Sequence, residues 1–270
     1  MPDWLLLVAA MLATGALAGV LAGLFGIGGG IVIVPVLETA LEFAGVDPAI
    51  RMHIAVGTSL ATIIPTSIAS ARAHHARQSV DLDIVRRWSV FVLIGALLGA
   101  LIASQVHSRV LAIVFAVSAM LVAVKMVFLP TVRNVTTEVP RQPWVPAIPT
   151  TIGTLSSMMG IGGGVMSVMT LSLFGQPIHR AVGTAALLGL AISLPGTLGF
   201  IAAGWGDARL PAFSLGYVSL IGLVCIAPAT VLMAPLGARI AHAFSEKRLA
   251  AAFGVFLAIA SVRLFYRALG

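Results

Sequence analysis

The sequence predicts an all-α polytopic membrane protein. It reads as two inverted repeats of about five hydrophobic segments each, with glycine-broken or re-entrant helices. Three observations carry this. First, 59% of the 270 residues are hydrophobic and 9% are charged, with a mean hydropathy of +1.08. Soluble domains carry about 25% charged residues, so this chain cannot cover itself with a polar surface. Second, several apolar runs approach the roughly 20 residues that cross the hydrocarbon core, and none alternates with the period of two expected of a β-barrel. Third, two glycine clusters, "FGIGGGIVIVP" at 25–35 and "MGIGGGVMSVM" at 159–169, recur in the same segment order.

The first apolar run is Trp4–Leu24. Asp3 precedes it and no basic residue does, so it reads as a membrane helix rather than a cleavable signal. After the first glycine cluster comes a short segment of about 14 residues, then a loop over Glu38–Arg51 that is longer than its second-half equivalent. "HIAVGT", His53–Thr58, opens the run Ile54–Ser70. The loop "ARAHHARQSVDLDIVRRW" at 71–88 follows, then Trp88–Ser104 and Val110–Leu129. A polar, proline-rich linker at 130–143 separates an N-terminal repeat (1–129) from a C-terminal repeat (144–270). In the second half the order is glycine cluster, "HRAVGT" at His179–Thr184, then Ala181–Ala203, Ala212–Leu236 and Leu249–Phe265.

The repeat has numerical support. His53/His179 and Gly57/Gly183 share an offset of 126, Asp81 and Asp207 are candidate equivalents at that offset, and the glycine clusters are offset by 134. "LGALIA" at 98–103 matches "LGARIA" at 236–241 with an offset of 138, which sets Lys125 opposite Arg263. An odd number of crossings inverts the second copy. With every segment crossing, the 71–88 loop, the linker, the His179–Arg180 loop and the 237–248 loop share one side and carry most of the arginines. The positive-inside bias makes that side cytoplasmic and both termini external. Full and re-entrant hairpins give the same parity. All four tryptophans lie at segment ends, where indole favours the headgroup level.

The net charge of +7 is explained by these loops, so nucleic acid is not expected as a partner. No metal-ligand spacing, P-loop or dinucleotide fingerprint is present, and neither a cofactor nor a metal is expected. Cys225 stands alone, which rules out an intrachain disulfide.

Two readings of the glycines stay open. One is close helix packing by small residues, which suits Gly95 and Gly99 best. The other is a broken helix. Gly26, Gly28, Gly29 and Gly30, and Gly160, Gly162, Gly163 and Gly164, would each open the backbone before a short helix. Its free N–H groups and partial positive charge would attract an anion. Gly57, Thr58 and Ser59, with Gly183 and Thr184, would add donors, although membrane hydroxyls also satisfy helix carbonyls. His53 and His179, placed at loop–helix junctions, are either interfacial side chains or proton-coupling groups. Glu38 and Glu42, one turn apart, are candidates for proton relay or for solvated groups at the membrane edge.

These paired motifs resemble the TauE/SafE sulfite exporter family from about Leu17 to Arg263. The resemblance implies secondary export of sulfite or of an organosulfonate such as sulfoacetate across a bacterial inner membrane. The glycines and Gly-Thr pairs would contact the anion, and a proton or other ion would couple transport. Pro35 is matched by Met169, so the two ends of the site differ. A passive anion channel and, from another class, an intramembrane enzyme are the rivals; a homodimer is a possible assembly.

Overall fold

The computed structural model describes residues 3–25, 29–128, 146–241 and 246–269. Ten helices fill them: α1 (Asp3–Phe25), α2 (Gly30–Phe43), α3 (Pro48–Ala76), α4 (Leu82–Gln105), α5 (Ser108–Phe128), α6 (Ala147–Met159), α7 (Gly164–Leu173), α8 (Ile178–Ala203), α9 (Leu220–Ala241) and α10 (Glu246–Leu269). The 130–143 linker and the glycines Gly26 and Gly28 lie outside the described residues. Among those described, α3, α4, α5 and α8 are each long and apolar enough to cross a membrane. The chain is a multi-pass membrane protein.

Helix starts follow local chemistry. Asp47 accepts the Ala49 N–H at 2.8 Å, and Pro48 sits in the first turn of α3, where its missing N–H costs nothing. This cap moves the helix start five residues upstream of His53, so His53 lies inside α3 and not at a loop junction. It also shortens the expected 38–51 loop, because α2 runs on to Phe43. Asp81 caps α4 through the N–H groups of Asp83 and Ile84, both at 3.1 Å. The run expected at Ala212–Leu236 divides. Residues 214–219 form a two-stranded hairpin, β1 (Ser214–Leu215) and β2 (Val218–Ser219), turned at Gly216 with φ of 53°. Helix α9 begins only after Ser219.

The centre is an antiparallel pair, α3 and α8. Gly183 abuts His74 and Ser79, Gly189 abuts Ser67, and Gly196 abuts Leu60. The α2–α3 turn therefore lies at one end of the pair, the Arg51 end, and the α7–α8 turn at the other, the Arg77 end. Around this pair, α1 packs parallel to α9, with Gly15 and Gly19 against the backbone of Ile226 and Thr230. Helix α4 packs parallel to α6 in the same way, with Gly95 against Thr150, Gly99 against Thr154 and Gly153 against Val92. Small residues permit such backbone approach between membrane helices. Helices α5 and α10 pack together on the outside.

The contacts between halves come in matched couples. The Cβ of a residue in place of Gly57 would meet the Tyr217 carbonyl, and in place of Gly183 the Ser79 carbonyl. The Ser219 N–H donates to Thr58 Oγ1 at 2.9 Å, and the Asp81 N–H donates to Thr184 Oγ1 at 3.0 Å. Ser219 caps α9 through the Gly222 N–H at 3.1 Å, as Asp81 caps α4. In this cap and in its contact across the two halves, Ser219 does what Asp81 does, at an offset of 138.

Candidate functional site

Among the described residues, α6 stops at the second glycine cluster and α2 starts at the end of the first. Helix α6 ends in a Schellman motif: the Ile161 N–H donates to the Ser156 carbonyl at 3.0 Å and the Gly160 N–H to the Ser157 carbonyl at 3.3 Å. Gly160, Gly162 and Gly163 have φ of 70°, 63° and 73°, a left-handed region that side chains avoid. Gly29, with φ of 74°, precedes α2 in the same way. Helices α2 and α7 have 14 and 10 residues, about 21 and 15 Å at helical rise. Neither is long enough to cross roughly 30 Å of hydrocarbon.

The two breaks meet. A Cβ at Gly30 would lie 2.6 Å from the Gly160 carbonyl oxygen and 3.0 Å from Ile161 Cα. Ser59, fully buried in α3, donates to that Gly160 oxygen at 2.7 Å and stands 3.5 Å from the Gly30 oxygen. At the starts of α2 and α7 the first N–H groups have no acceptor four residues back, although the Val32 N–H donates to the Gly29 carbonyl at 3.0 Å. Around the α7 start, Ser167 Oγ is buried without a hydrogen-bond partner among the described residues, while Ser157 Oγ, likewise unpartnered, faces α8 at Gly196. Ser156 Oγ finds only Met166 Sδ, at 3.7 Å. A Cβ at Gly163 would stand 3.5 and 3.6 Å from the Ser156 and Ser167 hydroxyl oxygens. A buried hydroxyl left unpaired is costly, so this cluster is short of a polar ligand.

Beside it lies a cavity of about 20 Å³, lined by Thr66, Ser67 and Ser70 of α3, Gly162, Gly164 and Gly189. That is room for about one water. The conformation is therefore closed around the junction.

The candidate residues divide into two groups. Gly29, Gly30, Ser59, Gly160, Gly162, Gly163 and Gly164 gather at the junction. Gly57 with Thr58, and Gly183 with Thr184, anchor the loop of the opposite half, one couple toward each end of the α3–α8 pair. His53 and His179 do not form a matched couple. His179 is exposed at the Arg77 end. His53 is buried and ties three helices: Nε2 lies 3.1 Å from the Ala103 carbonyl and 3.2 Å from the Val106 carbonyl, and Nδ1 lies 3.2 Å from Ser108 Oγ. Its ring stacks at a tilt on Tyr217, with centroids 5.0 Å apart. The Tyr217 hydroxyl donates to Asp207 at 3.1 Å. In that loop the Arg209 side chain and N–H hold the Asp207 carboxyl well below the usual carboxylate range.

Ser156, Ser157 and Ser167 are the polar groups that residue-by-residue reading passed over. Their signal was present: "SSMMGIGGGVMS" places three serines within seven residues of the second cluster. The first half has Ala22, Gly23 and Ile33 at the corresponding places.

Comparison with known proteins agrees with this architecture. The family model described as "Sulfite exporter TauE/SafE" matches residues 11–264. A "Probable membrane transporter protein" of Haemophilus influenzae is 35% identical over 258 residues, covering 95% of this chain and 97% of that one. Another protein described as a probable membrane transporter, from Methanocaldococcus jannaschii, is 26% identical over 260 residues, covering 92% and 91%. No solved structure matches the chain significantly.

Proposed function

The chain belongs to the sulfite exporter TauE/SafE family and is a membrane transporter, and we propose that its cargo is a small oxyanion. Sulfite or an organosulfonate such as sulfoacetate fits best, exported across a bacterial inner membrane by alternating access. The observation that carries this reading is the meeting of the α2 start at Gly30 with the Gly160–Ile161 turn that leads into α7, pinned by Ser59, next to the unpaired hydroxyl of Ser167. Converging N–H and O–H donors in a dry site bind an oxyanion through charge-assisted hydrogen bonds, and no buried arginine is needed there. Gly29, Gly163 and their neighbours would hold the backbone open, while Thr58 and Thr184 would couple each half to the loop of the other.

The matched loop contacts and the antiparallel α3–α8 pair support two inverted repeats about an axis in the membrane plane. The Arg77 end, with Arg72, Arg77, Arg86, Arg87 and Arg180, would be cytoplasmic by the positive-inside bias. An inside-negative potential then favours anion exit by about 2.3 kcal/mol per charge per 100 mV. Since the junction cavity holds about one water, the anion would enter when α3 and α8 part along the Gly189–Ser67 contact. His53 would sense protons: the Ser108 hydroxyl also donates to the Ala49 carbonyl at 2.8 Å, so doubly protonated imidazole completes the set of bonds and neutral imidazole requires that hydroxyl to turn.

The test is flux of labelled sulfite from liposomes holding the purified protein, with and without a pH gradient. The expected result is saturable efflux that accelerates when sulfite is loaded on the far side, with a raised half-saturation for Ser167→Ala. An ohmic current without saturation would identify a channel, and absence of flux would reject an anion substrate of this class.

A further inference from the structure

We propose that a second oxyanion site lies at the Arg51 end, in the cavity enclosed by α2, α3, α5 and α10. The cavity measures about 310 Å³, and Glu38, Glu42, Arg51, Arg109 and Arg267 are among its lining residues. It is some fifteen times the volume beside the glycine junction and accommodates an anion with part of its water shell.

Charge favours an anion there. Four guanidiniums, counting Arg263, face two carboxylates. Arg267 Nη1 lies 3.2 Å from Glu38 and also pairs with Glu42, while Arg263 Nη2 lies 3.9 Å from Glu42. Arg51 Nη1 stands 3.4 Å from Glu42 and 3.8 Å from Glu38. Charge-assisted N–H···O bonds run about 2.7–2.9 Å, so the Arg51 contacts are ion pairs rather than full hydrogen bonds. The Arg51 side chain is 14% exposed, and its Nε is buried without a partner among the described residues. Arg109 has no carboxylate partner among them. A largely buried guanidinium with unfilled donors needs an acceptor, and an oxyanion in the cavity supplies one in the planar, two-pronged geometry that guanidinium prefers. Helix α5 begins at this cavity, at Ser108, and adds partial positive charge; the start of α3 is capped by the Asp47 carboxylate.

Helix α2 joins this cavity to the glycine junction. It carries Glu38 and Glu42 toward one end and Gly30 at the other, about 21 Å apart over its whole length at helical rise. The site is thus placed to receive an anion released from the junction. That use rests on the transport reading; the binding itself does not.

The test uses the full chain in nanodiscs of zwitterionic lipid, labelled with phenylglyoxal and read arginine by arginine by mass spectrometry. Sulfate is the probe, with sodium chloride at equal ionic strength as control. At about ten times its half-saturating concentration, sulfate slows labelling of Arg109 and Arg267 about tenfold and leaves Arg77 and Arg87 unchanged. Arg51→Gln strips Glu38 of a partner and risks misfolding, so the diagnostic variant is Arg109→Gln, which weakens protection of Arg267. Ser167→Ala, at the junction, leaves that protection intact. Protection absent, or equal at all arginines, overturns the proposal. Protection lost in Ser167→Ala and kept in Arg109→Gln also overturns it, by placing the anion at the junction, where the transport reading survives. Protection in a protein without flux keeps this site and removes that reading. In phosphatidylglycerol nanodiscs, protection without sulfate that sulfate cannot increase identifies a lipid headgroup as the oxyanion and overturns a soluble occupant.

Discussion

Gly30→Ala tests the junction with a single methyl group. Gly30 is the first residue of α2 and lies outside the positive-φ set, so alanine meets no backbone strain there. Its Cβ would stand 2.6 Å from the Gly160 oxygen, 2.7 Å from Ile63 Cδ1 and 3.0 Å from Ile161 Cα. The Ile63 tip can turn away. The other two atoms are backbone, held by the Schellman motif and by Ser59. Ordinary contact begins near 3.4 Å, so the two glycine runs must separate by about 0.8 Å. That shift lengthens the 2.7 Å Ser59–Gly160 bond beyond useful hydrogen bonding. Overpacking costs about 1–3 kcal/mol, partly offset by the better helix propensity of alanine, and the protein stays folded. The same shift moves the first N–H groups of α2 out of hydrogen-bond range of the anion, and one such bond to a charged ligand is worth about 1.5–3 kcal/mol. Anion affinity should therefore fall about ten- to a hundredfold, at 1.4 kcal/mol per decade. Gly45→Ala is the control: φ is 72°, nothing lies within 4 Å, and the strain costs about 1–2 kcal/mol far from the junction. The assay is sulfite efflux from liposomes beside thermal unfolding in nanodiscs. Wild-type half-saturation and Tm in Gly30→Ala would refute the reasoning, as would equal transport losses in both variants.

Two further outcomes follow from contacts outside the junction. Thr58→Val and Thr184→Val each leave a backbone N–H (of Ser219 and Asp81) without its acceptor, at about 1–3 kcal/mol apiece; thermal unfolding should show similar losses, and a large inequality would break the equivalence of the two loop anchors. Asp207 contributes its hydrogen bonds while ionised. Because its folded pKa is depressed, that contribution is present above the ordinary carboxylate value of about 3.9 and is lost only as pH falls toward the folded value. The Tm gap between the parent protein and Asp207→Asn should stay constant from pH 8 to 5 and narrow below about pH 4; a gap that changes between pH 8 and 5 contradicts the assignment.

Much of the fold was legible because membrane helices announce themselves through length and hydropathy, and because two glycine clusters interrupt them. The breaks at Gly29–Gly30 and Gly160–Gly164 follow directly from that composition. Helix starts were less legible. Asp47–Pro48 is an ordinary capping pair, but it sits in a polar stretch that hydropathy assigns to a loop. The 214–219 hairpin was hidden because its residues are as apolar as a helix; it forms where Gly216 turns the chain and Thr58 accepts the Ser219 N–H. The motif His-x-Ala-Val-Gly-Thr stands out in the sequence, but its contacts do not. Gly57 and Thr58 are spent on a distant loop, and a contact with residues 217–219 cannot be read from residues 53–58. Glu38 looked solvated because glutamate is rarely buried. Two arginines, one of them from the far end of the chain, make its burial tolerable.

The α3–α8 pair also differs between its two halves in a way that bears on mechanism. At an offset of 126, Ser59, Leu60 and Ile63 correspond to Ala185, Ala186 and Gly189, while Thr66, Ser67 and Ser70 correspond to Ile192, Ser193 and Gly196. Toward the Arg77 end, small and hydroxyl side chains leave the water-sized opening. Toward the Arg51 end, the equivalent space is filled: Leu60 Cδ1 would stand 3.0 Å from a Cβ at Gly196, and Ile192 Cδ1 presses on Gly163. On the transport reading proposed above, Leu60 and Ile192 are the bulk that keeps the anion from the Arg51 end while the Arg77 end is open to it. A pore lined by polar groups throughout has no use for two branched side chains against its glycines. A carrier that exposes its site to one face at a time requires such a plug on the face that is shut, and requires it to sit on the same helices that move.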